Sequence, residues 1–325
     1  MRTDWVLFAE DYDEMTTTVV APARDGDSAA EVLEGAIIES STDASPFARF
    51  RRRFFADKVS LFALFILVVI VLGAVFATWL TPFEPEATDA INRFQSPSRA
   101  HWLGTDDLGR DTFTRLLYAG RVSLAASLLA VVVAVGIGAP LGLLAGYLGG
   151  RWDGFLSRGA DLLMSLPSLI LALGIIAAVG PGLVNAMIAL GVVYSPRIFR
   201  IVRGATLGIA AETYIEASVS IGLRNLRIIR RHVLPNVMSP LLVQISLMMA
   251  LSLLAEASLS FLGLGAQPPT ASWGVMLGRA YFDIRTYPTG IYWPGLAIAL
   301  TSLSWNLIGD GLRDALGREV RKGAG

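Results

Sequence analysis

Residues 59–80 run for 22 positions without a charge. A helix of that length spans a hydrocarbon core of about 30 Å. Further apolar stretches follow at 122–148, 162–179, 183–195, 236–261 and 292–308. The chain is 54% hydrophobic and 17% charged, with a mean hydropathy of +0.56, too apolar for a soluble protein of 325 residues. The expected fold class is an all-α membrane protein with about six transmembrane helices.

Charge sets the orientation. Arg49, Arg51, Arg52, Arg53 and Lys58 precede the first apolar run, which places the N-terminus in the cytoplasm by the positive-inside rule. Six spans bring the C-terminus to the same side. Thr81-Pro82 ends the first span, and residues 82–121 form a polar outer connection. Gly138, Gly142 and Gly146 lie four apart on the second span, a ridge suited to close helix packing, and Pro140 offers a kink. Residues 149–161 read as a short inner loop. Asp161 reads as an N-terminal charge on the third span, which Pro167 breaks near its inner end. Gly180-Pro181-Gly182 is an outer turn. Arg197, Arg200 and Arg203 share a helix face, where they can snorkel to headgroups or meet a partner's acids. Residues 263–291 form a second outer loop. Trp273 and Trp293 suit the outer interface belt, Asn306 and Asp310 suit caps of the last span, and 310–325 is a polar inner tail.

Residues 1–48 carry eleven acids against Arg2 and Arg24. Such a segment cannot bury enough apolar surface to order itself. It lacks the basic start and apolar core of a secretory signal, and Met15 offers an alternative start.

Several chemistries are excluded by absence of parts. There is no cysteine, hence no disulfide, thiolate metal site or cysteine nucleophile. The two histidines, His101 and His232, fall on opposite sides of the expected topology. Lys58 and Lys322 are the only lysines, and neither follows a glycine, so no P-loop exists. G-x-S-x-G and H-E-x-x-H are missing. No basic patch outside the inner loops is large enough for nucleic acid.

Between two apolar runs lies a charged island: Glu216-Ala217-Ser218-Val219-Ser220-Ile221-Gly222, then His232-Val233-Leu234-Pro235. Residues 214–221 read as a short helix, and Gly222 allows the positive-φ turn that ends it. Residues 223–233 form a second short helix, with Arg224, Arg227, Arg230 and Arg231 keeping it out of lipid. Pro235 fits the first turn of the next span. On the outer side, His101-Trp102-Leu103-Gly104-Thr105-Asp106-Asp107-Leu108-Gly109-Arg110-Asp111 precedes the second span, with Thr105 or Asp106 as a candidate helix cap. The acids could hold Ca²⁺, but Arg110 among them and the absence of EF-hand spacing count against it. Acids near Arg110, Arg115 and Arg121 offset their positive charge. Glu256 is the one acid deep in an apolar run, a candidate for hydrogen bonding, subunit contact, or a ligand or proton role.

The charged island resembles the EAA loop of ABC importer permeases. The segment from His101 to Asp111, continuing through Arg115 to Leu124, resembles the C-type permease subunits of dipeptide and oligopeptide importers. Gly309-Asp310-Gly311-Leu312-Arg313-Asp314 resembles that family's C-terminal signature. Ser218 stands where an alanine is usual.

The resemblance implies a type I ABC importer permease fold with a cytoplasmic EAA coupling loop and no catalysis of its own. The acidic tail (1–48), set off by composition, has no counterpart in that family; the resemblance divides the rest into a first span with its outer connection (49–121), a permease core (122–312) holding the loop 211–235, and a C-terminal tail (313–325). It assigns ATPase coupling to Tyr214, Glu216, Ala217, Ser218, Gly222, Arg224, His232, Leu234 and Pro235. Gly104, Thr105, Asp106, Gly109, Arg110 and Asp111 form the outer signature, and Glu256 is a pathway or subunit-contact candidate. The implied partners are a B-type permease, two ATPases that bind ATP and Mg, an extracytoplasmic binding protein and the lipid of a bacterial cytoplasmic membrane. This chain would bind no cofactor itself. The implied cargo is a di- or oligopeptide; nickel or another small solute is the alternative. An ion-coupled secondary transporter is the rival class, and it calls for more intramembrane charge and for repeats.

Overall fold

Asp57 starts the first span by accepting from the amides of Val59 and Ser60. The structure, a computed structural model, describes residues 46–322. Most of the acidic tail expected at 1–48 therefore lies outside the described residues. Helix α1 (Pro46–Phe54) precedes α2 (Lys58–Val75), which breaks at Phe76 and resumes as α3 (Ala77–Leu80). The first span is thus bent near its outer end. Arg121 stabilises the bend. Its guanidinium donates to the carbonyls of Ala74 (2.6 Å) and Val75 (2.8 Å) and to the Thr78 hydroxyl (2.9 Å). The expectation that neighbouring acids offset Arg121 is corrected: it serves backbone carbonyls freed by the break.

The second span, α4 (Thr112–Leu148), is 37 residues long and starts ten residues before the expected apolar run. Asp111 caps it, accepting from the Thr114 amide and hydroxyl, each at 2.7 Å. The expected caps, Thr105 and Asp106, serve the preceding turn instead. Residues 149–161 are not a loop. They lie in α5 (Gly150–Met164), followed by α6 (Ser168–Val179) after a 90° bend at the Pro167 break. Asp161 sits late in α5 and pairs with Arg200 at 2.5 Å. It therefore opens no span.

Helix α7 (Leu183–Ala210) lies against α4 along the glycine ridge. A Cβ on Gly138 would come 2.4 Å from the Ser195 carbonyl, and one on Gly142 2.8 Å from that of Phe199. These backbones approach too closely for any side chain in the seam. Arg200 and Arg203 both meet acids of α5, and the Arg200 side chain stays 52% exposed. Arg203 binds both oxygens of Asp153 on α5, so the pair straps α5 to α7. Arg197 lies over the Tyr194 ring at 5.6 Å.

Beyond α7 come α8 (Thr213–Ser220), α9 (Asn225–Ile228), one wider turn (Ile229–Val233) and α10 (Leu234–Phe261). The last three run as one helix of 37 residues. The expected separate helix at 223–233 therefore merges with the next span. Pro235 would clash with the carbonyl four residues back in a regular helix. The wide turn, closed by the Leu234 amide on the Ile229 carbonyl, takes up that clash without a break.

The second outer loop contains α11 (Trp273–Phe282). Trp273 is buried rather than at an interface. Its indole donates to the Leu116 carbonyl at 3.0 Å. The last helix, α12 (Tyr292–Lys322), continues 14 residues past the expected end at Ile308. Asn306 and Asp310 are consequently interior to it and cap nothing: Asn306 donates to the Ser302 carbonyl, and Asp310 pairs with Arg313. Gly309 packs on Ser246 and Leu247 of α10, and a Cβ on Gly311 would lie 2.0 Å from Ser60 Oγ of α2. The C-terminal signature is thus a wedge of small residues between two helices.

Among the described residues, four helices are long and apolar enough to cross a membrane, five if the bent pair α5–α6 counts as one. The sixth expected segment forms the first half of α12, where Ser, Thr, Asn and Trp dilute the apolar run. The largest core joins α4, α7 and α10 through Val131, Leu190, Ile198, Met248 and Leu259. No β-strand occurs among the described residues.

Candidate functional site

The loop 211–235 is built as a surface mount. Ile215, Ser218, Ile228 and Val233 are buried and tie α8 and α9 to the bundle. Helix α8 ends at a Schellman turn. The Gly222 amide donates to the Val219 carbonyl (2.9 Å) and the Leu223 amide to that of Ser218 (3.2 Å), with Gly222 at φ +79°. Leu223, one residue on, packs on the main core. Ser218 faces its own bundle, and its hydroxyl donates to the Tyr214 carbonyl at 2.7 Å.

The opposite face is open. Val219, Ile221 and Leu226 are 53%, 76% and 68% exposed. Glu216, Ala217, Arg224, Arg227, Arg230 and Arg231 are exposed around them. Glu216 has no ion-pair partner among the described residues. The Tyr214 and His232 rings lie 6.2 Å apart, tilted by 57°, and Asn236 donates to the His232 carbonyl at 2.7 Å, closing the far side of the loop. Partial burial, helped by Glu212, raises the Tyr214 phenol above its ordinary value. Leu234 and Pro235 lie within the continuous helix. That helix, Asn225–Phe261, is about 55 Å long at 1.5 Å per residue and its first eleven residues belong to the loop.

On the other side, residues 82–111 fold over the ends of α4 and α11. Thr105 is fully buried. It accepts from the Gln95 amide at 2.8 Å and donates to the Asn92 carbonyl at 2.5 Å. Asp106 accepts from the amides of Leu108 and Arg110 and from the Arg110 side chain. Arg115 lies 3.4 Å from Asp106, and Arg279 of α11 lies 3.2 Å from Asp107. These acids are matched by arginines. His101 meets Asp111 at 2.9 Å. Gly104 and Gly109 hold φ near +75° and abut backbone: a Cβ on Gly109 would lie 1.8 Å from the Asp89 carbonyl. The Asn92 amide and the Ile91 N–H hold the Asp89 carboxyl below its ordinary range. The outer signature is therefore a folded plate. Sequence reasoning missed its tie to Arg279, 168 positions beyond Asp111. Glu256 is fully buried and belongs to neither surface.

Residues 138–322 match the family described as binding-protein-dependent transport system inner membrane component. Residues 45–97 match the N-terminal TM domain of oligopeptide transport permease C. A glutathione transport system permease protein, GsiD, of Pectobacterium atrosepticum is 42% identical over 287 residues, covering 88% of this chain and 95% of the relative. A dipeptide transport system permease protein, DppC, of Alkalihalophilus pseudofirmus is 42% identical over 281 residues, covering 86% and 92%. Among solved structures, an inward-facing conformation of the MetNI methionine ABC transporter aligns with a TM-score of 0.50 at 22% identity, covering 62% of this chain and 95% of that one. That likeness concerns the fold, the helical permease fold of type I ABC importers. With the loop, the outer plate and these matches together, the chain belongs to the family of binding-protein-dependent transport system inner membrane components.

Proposed function

We propose that this chain is the C-type permease subunit of an ATP-driven importer for di- or oligopeptides, glutathione among them. It forms half of the translocation pathway. A B-type permease supplies the other half, two cytoplasmic ATPases bind the ATP and Mg, and an external binding protein delivers cargo. Both termini and the loop 211–235 face the cytoplasm, and the plate 82–111 faces out. The chain itself performs no catalysis.

One observation carries this reading. The loop 211–235 is anchored from below by buried apolar residues and presents a mixed apolar and basic face that the rest of the described chain leaves uncovered. Exposed Val219, Ile221 and Leu226 beside four arginines suit an ATPase surface with a groove and an acidic lip. The relatives' names supply the cargo class, and the match at residues 45–97 supports the C-type assignment.

The test is uptake of a labelled dipeptide and of glutathione, presented with the binding protein, into right-side-out vesicles that hold the whole importer and are loaded with ATP. Uptake should need ATP and survive an ionophore. Collapse with the ionophore while ATP is present, or transport by this chain without ATPase subunits, would overturn the reading.

A further inference from the structure

The last turn of α1 rests on the last helix. Phe50 and Phe54 stack at 5.9 Å and pack with Ala63 and Leu67 of α2 against Ile308 and Ala315 of α12. Positions 51 and 52 then fall away from that face. Arg51 and Arg52 are exposed, and so is Lys58 at the start of α2. No ion pair or side-chain hydrogen bond engages any of the three among the described residues. Asp57 is the one acid between them. Its oxygens are taken up by the amides of Val59 and Ser60 and by the Ser60 hydroxyl.

Apolar surface begins where these cations end. Phe55 is 58% exposed and Val59 57%. Phe62, Phe65, Val69 and Leu72 follow at spacings of three and four, so they share one face of the first span, and all are exposed. The opposite face carries Ser60, Ala63, Leu67 and Ala74, all buried. In a bilayer, small residues favour helix contacts, which leaves the bulky face to acyl chains. The three cations therefore stand at one end of an acyl-chain wall, at headgroup depth. Guanidinium groups bind phosphate oxygens in pairs, and long basic side chains reach the interface from a helix end. Three positive charges without an acid among the described residues call for negative charge from outside the chain, and an anionic leaflet supplies it.

We propose that Arg51, Arg52 and Lys58 form a collar that gathers anionic phospholipids: their charged groups hold the headgroup phosphates, and the acyl chains lie along Phe62 and Phe65. Lipid and α12 then hold α1 from opposite sides. An acidic protein surface could meet the same cations, but a lipid also follows the apolar face into the span. The proposal goes beyond the importer reading and depends on it only for naming the leaflet, the cytoplasmic one.

The test uses the whole importer in phosphatidylcholine nanodiscs. This chain has no native cysteine, so a bimane on Phe62→Cys marks one position in it, with the unsubstituted importer as background. Phosphatidylglycerol or phosphatidylcholine is added at rising mole fraction, each with a nitroxide near the headgroup end of one acyl chain. The nitroxide quenches the bimane on contact, so the two half-quenching fractions compare the lipids at this face. In low salt phosphatidylglycerol should be preferred by about fivefold, the scale of one basic side chain at an anionic surface. Salt at about 1 M should bring the ratio close to one, because the Debye length falls to about 3 Å. Arg51→Gln combined with Arg52→Gln should do the same in low salt and leave quenching by phosphatidylcholine unchanged. Should that pair fail to accumulate, Lys58→Gln alone should lower the ratio partway. A ratio near one in the native importer would refute the collar. A ratio that the variants leave intact would place the preference elsewhere and overturn the assignment. No quenching by either lipid would show that a protein subunit covers this face instead. The readout needs no transport, so it stands even if ATP-driven uptake is absent.

Discussion

Replacing Gly222 with valine isolates one physical term. A Cβ added there would meet nothing within 4 Å, so no neighbour has to move. What remains is the backbone at φ +79°, where an L side chain costs roughly 1–2 kcal/mol and a β-branched one stands at the upper end. The strain is relieved only by abandoning the turn, which forfeits the amide bonds of Gly222 to Val219 and of Leu223 to Ser218. A penalty of 1–2 kcal/mol shifts a two-state balance roughly 5- to 30-fold. Gly222→Val should therefore insert normally, with its spans undisturbed, yet lose ATP-driven uptake by about that factor. The ATPases should also dissociate more readily on detergent extraction. Gly222→Asn is the control, because asparagine tolerates the left-handed region. It should retain most uptake, with Gly222→Ala between the two. The assay is vesicle uptake and ATPase co-purification from the same membranes. Native transport by Gly222→Val with its ATPases firmly bound would refute the coupling role. Equal damage from asparagine and valine would refute the backbone argument.

Other outcomes follow from the same structure. Glu216→Ala should leave membrane abundance and pairing with the second permease unchanged while lowering uptake and ATPase retention, since loss of a charge-assisted contact costs roughly 1.5–3 kcal/mol; wild-type uptake would make the loop an ordinary surface. Gly142→Leu should collapse membrane abundance, because the seam with Phe199 and Val202 is closed. Gly136→Ala, on the same helix with open space beside it, should be neutral by the same immunoblot. Single cysteines at the exposed positions Ser220 and Ser96 should react with impermeant thiol reagents from opposite sides of the membrane. Labelling of both from one side would overturn the topology.

What could be read in the sequence was local. Gly222 holds a positive-φ turn that its own sequence announces, and Pro167 stands at the break between α5 and α6. The ridge Gly138-Gly142-Gly146 announces a close neighbour without naming α7. What escaped depends on tertiary partners. The first turns of α4 are polar, so the hydropathy pattern hides them, and only the Asp111 cap and the burial of Arg115 keep them helical. Residues 149–161 look like a loop because their charges are visible and the α7 arginines that pair with them are not adjacent in sequence. Trp273 reads as an interface residue until Ser123, Gly120 and Leu116 are brought around it. The proline at 235 reads as a helix start, because nothing local announces the wide turn that carries the helix through it.

The bend between α5 and α6 bears on the surrounding lipid. Helix α6 has 12 residues, about 18 Å of rise, against a hydrocarbon thickness of about 30 Å. Leu169, Ile170 and Val179 are exposed along it, so acyl chains reaching this face would meet a wall too short for them. The bilayer must thin beside α6, or α5 must lean in with its exposed Trp152, Phe155 and Leu162 to make up the depth. Either response couples the tilt of α5 to membrane thickness. Because Arg203 ties α5 to the helix leading into the coupling loop, transport rate is expected to vary with the acyl-chain length of the host membrane, which uptake into vesicles of different lipid length would check.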